Sequence, residues 1–443
     1  MAADRRRGGG RPRHGRGHPR PGRAGRVGRA GRVGWAGRGG RRGAGVTVVD
    51  ATAEALDRAR WLQIAGEAAD DLATDAVIRD QAGKTPYDEV ARLREAGLLT
   101  LLIPVEHGGG GADWSTACAV VRKIAAADGA IGQVLGCHYL LCFSARFFGG
   151  PDLAARLERE SAAGQWCWGG GLAPREPRLT LTPGKDGHVV NGRQGYATGV
   201  LVADRLAVRA IHADTGEPLA VLVDATHPGV VCGGDDGDTF GQRLAAGGSV
   251  EFDAVPVGDD AVLGPLSWDE DTLSPFSGLA APTGRLVSAQ ICLGIAQGVL
   301  AEAREYTRAV HAPWPQTSPR DPYALTTYGE LTVATFSAAA LADQALEALD
   351  GGLARGEDLT DDECAEITVL AAAAEAAASR AAHDATARAL DVIGARSASS
   401  AYGFDRFWRN ARTHTLYDPV AHRLHEVGDY FLNGEHPPFT LPF

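Results

Sequence analysis

The sequence predicts three parts in chain order: an N-terminal α-helical domain, a central antiparallel β-domain and a C-terminal four-helix bundle. Three observations carry this. Helical spacing of apolar residues fills residues 46–165. Short β-type runs separated by turn signals begin near Trp166 and continue to 265. Long alanine-rich helical stretches then occupy 266–443.

In the first part, ATAEALDRARWLQIAGEAADDLATDAV places Leu56, Ala59, Leu62 and Ile64 roughly on one helix face. Pro86 and Asp88 mark a new helix start, and Gly97 a stop. IPVEHGGGGADW is a loop, followed by helices over Ser115–Asp128 and Ile131–Phe148. In the second part, RLTLTPGKDGHVVNGRQGYATG, RLAVRAI, LAVLVDA, GVVCGG and GSVEFDAVPV read as strands, with a hairpin turn at Gly184–Gly187. In the third, VSAQICLGIAQGVLAEAREYTRAV is one helix that ends before Pro313. DPYALTTYGELTVATFSAAALADQALEALD is a second and DECAEITVLAAAAEAAASRAAHDATARALDVIGAR a third. Their small alanines allow close helix packing, as in a four-helix bundle.

The net charge of −11 hides a sharp asymmetry. Residues 1–45 hold fourteen Arg and one Asp, so about +13, leaving −24 for the rest. An acidic body excludes nucleic acid as the main partner. The Gly/Arg arm (1–45) is low in complexity and cannot bury a core, so disorder is expected there. Its Arg5–Arg7 run lacks the apolar segment of a secretion signal, so the arm reads as an over-extended start or a dispensable tail before it reads as an RGG-like nucleic-acid arm or a targeting tag. No apolar run reaches the roughly 18 residues that span a membrane. Seven scattered cysteines without a CxxC pair fit reduced thiols in a cytoplasm.

The stretch Gly394–Glu435 is the most informative. Arg396, Arg406, Arg409, Arg412, His414 and His422 alternate with Tyr402, Phe404, Phe407, Trp408 and Tyr417. Such a mixture is costly to bury without partners. It suggests a site for a flat anionic ligand, with rings to stack on and guanidinium forks for phosphate. His422 and His425 do not read as metal ligands, because no carboxylate or Cys completes a recognisable spacing. The Gly108–Gly111 run lacks the strand and helix context of a phosphate loop.

The block YGFDRFWRNARTHTL, together with LGIAQGVLAEAREYTR, DPYALTTYGE, GQRLAAGGSVEF, REAGLLTLLIPVEHGGGGADW and VVNGRQGYATG, resembles the flavin-dependent monooxygenases of the acyl-CoA dehydrogenase superfamily. Dibenzothiophene monooxygenases are among them. The resemblance covers about residues 50–440. It implies an acyl-CoA dehydrogenase-like fold, a homotetramer, and reduced FMN bound between the β-domain and the bundle. It also implies a separate flavin reductase as partner. With O2 the flavin would form a C4a-hydroperoxide that oxygenates a small hydrophobic substrate at S, N or an aromatic carbon.

The same resemblance implies site residues. Thr198, in GYATG with Tyr196 and Ala197, would lie beside the flavin ring, where a hydroxyl can donate or accept; without the resemblance it reads first as an ordinary strand-end Thr. Gly170 and Gly171 of GGLAP would wrap the flavin through backbone N–H groups, since Gly170 and Ala173 stand where relatives often carry Asn. His138 would shuttle protons to the peroxide, or is a satisfied helix histidine. Ala395 and Arg396 would contact the flavin, with Arg396 able to fork a phosphate. His414 matches a pocket histidine, and Tyr417 stands where relatives carry a second; the pair also reads as packing against Trp408. Two further departures are Ala312 in His311–Trp314, where relatives carry Arg, and Gly237 in Asp235–Gly237, where they carry Trp. They suggest a roomier pocket. FAD stays possible as cofactor. The alternatives are an FAD-dependent acyl-CoA dehydrogenase, which needs a carboxylate base, often a Glu in this region where the present chain reads His414–Asp418 without one, and a non-catalytic paralogue.

Overall fold

The computed structural model describes residues 48–173, 178–233, 239–266, 273–309 and 320–437. The Gly/Arg arm, Pro174, the Asp235–Gly237 run and the His311–Trp314 run lie outside the described residues.

Helices α1 (Val48–Ala73), α2 (Ala76–Ala82) and α3 (Tyr87–Glu95) come first. The expected stop at Gly97 is real, with φ of 72°. Helices α4 (Trp114–Ala127) and α5 (Gly129–Phe148) are each started by an aspartate. Asp113 accepts from Thr116 N, and Asp128 from Ala130 N and Ile131 N. Helix α6 (Pro151–Gly164) begins on proline, whose missing N–H costs nothing at a first turn.

The strands are β1 (Trp168–Gly171), β2 (Leu179–Gly184), β3 (Gly187–Ala197), β4 (Arg205–His212), β5 (Pro218–Asp224), β6 (Val230–Gly233), β7 (Gly248–Val257) and β8 (Val262–Pro265). They form one sheet, ordered β6-β7-β3-β2-β4-β5-β8, with β1 added beside β4. The expected hairpin joins β2 to β3, with Gly184 opposite Gly187. The sheet is mixed rather than wholly antiparallel, because β1 and β2 both run parallel to β4. The reason is topological: β4 follows the hairpin but lies beside β2, not β3, and so runs the way β2 does. One face buries Leu181, Val190, Leu206, Val208, Val221 and Val250. A register shift between β3 and β7 at Gln194/Ala197 bulges the strand and leaves Tyr196 at φ 53°.

Helices α7 (Pro275–Gly278), α8 (Ala280–Ala309), α9 (Pro322–Arg355), α10 (Asp361–Ile393), α11 (Asp405–His414) and α12 (Val420–Asn433) complete the chain. A capping box, Thr360 with Glu363, starts α10. Helix α10 packs against α8, α9 and α12, and α4 packs on α8. Small residues set this spacing. Ala371, Ala374, Ala378, Ala382 and Ala385 of α10 are wholly buried. The 275–309 stretch is apolar enough to pass as a membrane span by composition, but 72% of its most apolar window is buried, as in a core helix.

The cations of the tail are committed to structure. Arg406 pairs with Glu302, donates to Gly403 O at 2.9 Å and lies over the Phe407 ring. Arg409 pairs with Asp80 and Asp405 and donates to Phe240 O at 3.0 Å. Arg423 pairs with Asp418 and Glu426. The expectation that Arg406 and Arg409 serve as phosphate forks is therefore corrected: their donors already meet Glu302, Gly403 O, Asp80, Asp405 and Phe240 O, contacts that fasten the tail to the rest of the fold.

Candidate active site

A cavity of about 250 Å³ opens where the end of β3 meets α5, α8, α10 and the α11–α12 connection. Its wall includes Gln133, Cys137, Tyr196, Thr198, Arg285, Ser288, Glu375, His414, Tyr417 and Asp418. Thus four of the expected residues, Tyr196, Thr198, His414 and Tyr417, come together from distant parts of the sequence.

Local backbone chemistry delivers Thr198. Gly170 N donates to Thr198 O at 2.9 Å, and Thr198 N donates back to Gly170 O at 3.3 Å. Next along, Gly199 N donates to Ala245 O at 3.0 Å, so the GQRLAAGG segment anchors the same strand end. Gly170 sits at φ +119°, and a Cβ there would lie 2.3 Å from Ala207 O. Only glycine suits such a position. Gly171 O accepts from Gln194 Nε2 at 3.1 Å, and Ala197 pairs with Gly248. The glycines therefore shape the strand end beside the cavity; Gly170, Gly171 and Ala197 are not on its wall. Tyr196, strained into the left-handed region and 55% exposed, is on it.

His414 closes α11. Its Nδ1 lies 2.9 Å from Gln133 Oε1 and its Nε2 3.0 Å from Ser288 Oγ. Gln133 Nε2 in turn donates to Thr198 Oγ1 at 3.4 Å. One chain of polar groups thus links α8, α11, α5 and β3. Helix α11 is held in place by Gln242, which donates through N to Asn410 Oδ1 at 2.7 Å and through Nε2 to Asn410 O at 3.2 Å. Burial pushes the His414 pKa down to about 4, against the pull of the Ser288 backbone, so the ring is neutral at pH 7.

His138 does not reach the cavity. It is 1% exposed, its Nε2 meets Leu99 O at 2.7 Å, and its Nδ1 accepts from Trp168 N at 3.0 Å. The carbonyl and the amide fix a neutral tautomer with the proton on Nε2. The expectation of a proton-shuttling His138 is corrected: it ties the 98–100 turn and β1 to α5. Gln133, on the same helix, occupies the place foreseen for it. Burial pushes the His138 pKa down to about 4 from 6.5. The unfolded chain therefore binds this proton first as pH falls. Stability contributed by His138 is present above about pH 6.5 and is lost as pH drops toward 4. The stability gap between the parent and His138→Gln is expected to narrow by about 3 kcal/mol over that window. Urea midpoints for the two proteins against pH measure it, and a gap independent of pH contradicts it.

Ala395 and Arg396 lie in the turn after α10, exposed, and neither is on the cavity wall. Two wall residues escaped the sequence reading. Gln133 carried the same signal as His138, a polar side chain in the apolar run GAIGQVLGCHYLLC. Glu375 is the lone acid in AAAAEAAAS, a buried charge on an alanine helix. Burial pushes its pKa up to about 7, opposed by Arg423.

The wall fits the ring end of a flavin. It offers the Tyr196 and Tyr417 rings, the Thr198 and Ser288 hydroxyls, the Gln133 amide and a neutral imidazole. Among the described wall residues the one guanidinium is that of Arg285, 3.1 Å from Glu426.

Comparison with known proteins agrees. The acyl-CoA dehydrogenase N-terminal domain family matches residues 63–165 and the C-terminal domain family residues 280–418. Dibenzothiophene monooxygenase of Mycolicibacterium goodii is 37% identical over 392 residues, covering 85% of this chain and 94% of that one. A probable FMNH2-dependent monooxygenase of Pseudomonas putida is 36% identical, covering 85% and 95%. The crystal structure of the Paenibacillus sp. A11-2 dibenzothiophene monooxygenase with FMN and indole superposes with a TM-score of 0.82 at 35% identity, covering 86% and 99%. The fold is that of the acyl-CoA dehydrogenase class of flavoproteins. Within it, the chain belongs to the family of flavin-dependent monooxygenases that includes the dibenzothiophene monooxygenases.

Proposed function

We propose that this chain is the oxygenase half of a two-component system. It takes FMNH2 from a separate reductase and inserts one atom of O2 into a small hydrophobic substrate at S, N or an aromatic carbon. When bound, the reduced flavin supplies the electrons that activate O2. The observation that carries the reading is the hydrogen-bonded chain Thr198–Gln133–His414–Ser288 on the cavity wall. It offers a positioned hydroxyl and a neutral imidazole, which suit proton management beside an oxygen-activating ring. Glu375, the carboxyl on the α10 side of the wall, is 6% exposed and engaged with Arg423 and Ser288. That disfavours it as the base of an acyl-CoA dehydrogenase.

The test mixes the protein with FMNH2 without air, admits isotopically labelled O2, and analyses indole and dibenzothiophene as probe substrates. Single-atom label incorporation supports the reading. Tight FAD reduced by acyl-CoA would favour the dehydrogenase, and neither behaviour the non-catalytic paralogue.

Tyr417, 46% exposed on the wall, is proposed to donate a hydrogen bond to the reacting oxygen, the role a second histidine has in the family pattern. Tyr417→Phe is expected to slow oxygenation about tenfold or more and raise hydrogen peroxide release, with FMN affinity nearly unchanged. Stopped-flow rates beside a peroxide assay decide; parent-like behaviour in both makes it a packing residue.

We also propose a homotetramer, supported by the apolar exposure of Leu325, Val333 and Phe336 on α9. In such an assembly the exposed Arg396 would meet flavin phosphate near another subunit. Arg396→Ala should then weaken FMN binding more than Arg304→Ala, a change on the surface of α8. Equal dissociation constants remove Arg396 from the site. The seven cysteines are all free thiols, which supports a cytoplasmic setting.

A further inference from the structure

Glu375 is the wall residue whose chemistry remains unused. Around it gather Arg285, Ser288 and Cys292 of α8, Asp418 ahead of α12, and Arg423 and Glu426 of α12. Exposed His422 lies 3.9 Å from Asp418 at the edge of the group. Two guanidiniums thus face three carboxylates, one negative charge in excess. Glu426 is 3.1 Å from Arg285 and 2.5 Å from Arg423. Asp418 is closely paired with Arg423. Glu375 has the weakest share: Arg423 Nε stands 3.3 Å from its Oε2, and that oxygen has no hydrogen-bond partner. The buried carboxyl with least charge compensation is the one that keeps a proton.

Glu375 shares the cavity wall with Ser288, whose side chain favours the ionised carboxyl and is the first link of the chain that ends at Thr198. We propose that Glu375 is a positioning residue that sets the direction of this chain, and through Ser288, His414 and Gln133 decides whether the Thr198 hydroxyl is free to donate into the cavity. The consequence for catalysis rests on the monooxygenase reading; the chain itself does not.

Glu375, Ser288 and His414 each have at most one proton to orient, and Gln133 has one accepting end and one donating end. With Glu375 protonated, its O–H donates to Ser288 and the Ser288 hydroxyl donates to His414 Nε2. The imidazole then carries its proton on Nδ1 and donates to Gln133 Oε1. The Gln133 amide N–H is left for Thr198 Oγ1, whose own O–H is free for the cavity. With Glu375 ionised, Ser288 donates to the carboxylate instead. His414 must now carry its proton on Nε2 and donate to Ser288. Its bare Nδ1 needs a donor, so Gln133 turns its amide over and presents Oε1 to Thr198. The Thr198 proton is then spent on Gln133. Throughout, His414 stays neutral, consistent with a pKa depressed by burial to about 4. The reversal is centred where burial places the Glu375 carboxyl, at about 7.

The test uses flavin-free protein labelled with 15N-histidine, with the His414 signals assigned by their loss in His414→Gln. In the parent, the His414 proton is expected to move from Nδ1 to Nε2 as pH rises through neutrality, without the ring becoming charged. In Glu375→Gln and in Ser288→Ala it should stay on one nitrogen at every pH. A parent tautomer that does not change with pH overturns the proposal, as does a shift that persists in Glu375→Gln. If Glu375→Gln does not fold, a shift that persists in Ser288→Ala overturns it equally, and its loss there supports it. Because no flavin is present, failure of the oxygenation assay leaves this result intact.

Discussion

His414→Ala is expected to lower the oxygenation rate by about 10²–10⁴-fold, the usual cost of removing one positioned proton-handling group. His414 alone joins Ser288 to Gln133, at 3.0 and 2.9 Å. Without it, the Gln133 amide loses the acceptor–donor pairing that aims its Nε2 at Thr198, and a small polar void opens on the wall. Water fills such a void readily. Reducing equivalents should then escape as hydrogen peroxide rather than reach substrate. FMN affinity should change far less, since the flavin-ring contacts offered by Tyr196 and Thr198 remain. Helix α11 should stay folded, because Gln242 holds Asn410 and Asp80 holds Arg409 independently of the ring. Single-turnover oxygenation, a peroxide assay and FMN titration together test this. Parent-like coupling with a uniform loss of FMN affinity would reduce His414 to a structural residue.

The order of helices and strands was legible because it rests on local signals. Gly97 stopped a helix, Gly184 and Gly187 turned a hairpin, and the alanine runs of α9 and α10 marked closely packed helices. Parallel pairing of β2 with β4 was not legible, since it depends on which neighbour β4 chooses after the hairpin. Thr198, His414 and Tyr417 could be named from motifs, and the structure places them on one wall. What the motifs could not say is how the tail's charges are spent. Arg406 and Arg409 have the residue type for phosphate, yet Glu302 and Asp80, distant in sequence, already hold them. His138 and Gln133 show the same limit. Both are polar residues on one apolar helix, and only the packing of Leu99 and Trp168 decides that the histidine faces backbone and the glutamine faces the cavity. Glu375 was invisible for a related reason: its partners come from three separate segments.

Gly170→Asn should destabilise the protein by about 3 kcal/mol or more and abolish oxygenation, even though the family pattern favours asparagine nearby. The sequence comparison alone invites the opposite view, that glycine here is a loss which Asn would repair. The backbone argues against it. Gly170 has φ +119°, a region L-residues adopt at a cost of roughly 1–3 kcal/mol. A Cβ at this position would sit 2.3 Å from Ala207 O, a main-chain atom of the neighbouring strand β4 that cannot swing aside. Relief requires β1 to move away from β4, which breaks the parallel pairing of Gly170 with Ala207. The same movement pulls on the two hydrogen bonds between Gly170 and Thr198. Thr198 Oγ1 already sits at 3.4 Å from Gln133 Nε2, so small retreats end that contact. Stability and chemistry should therefore fail together. Gly171→Ala is the control: its Cβ would meet only Gln194 Nε2, at 3.8 Å, and its φ is ordinary. Thermal unfolding and oxygenation rates of the two variants decide. If Gly170→Asn is as stable as the parent and oxygenates normally, β1 has room that this backbone does not show, and the glycine is a tolerated departure rather than the fixed point on which Thr198 is hung.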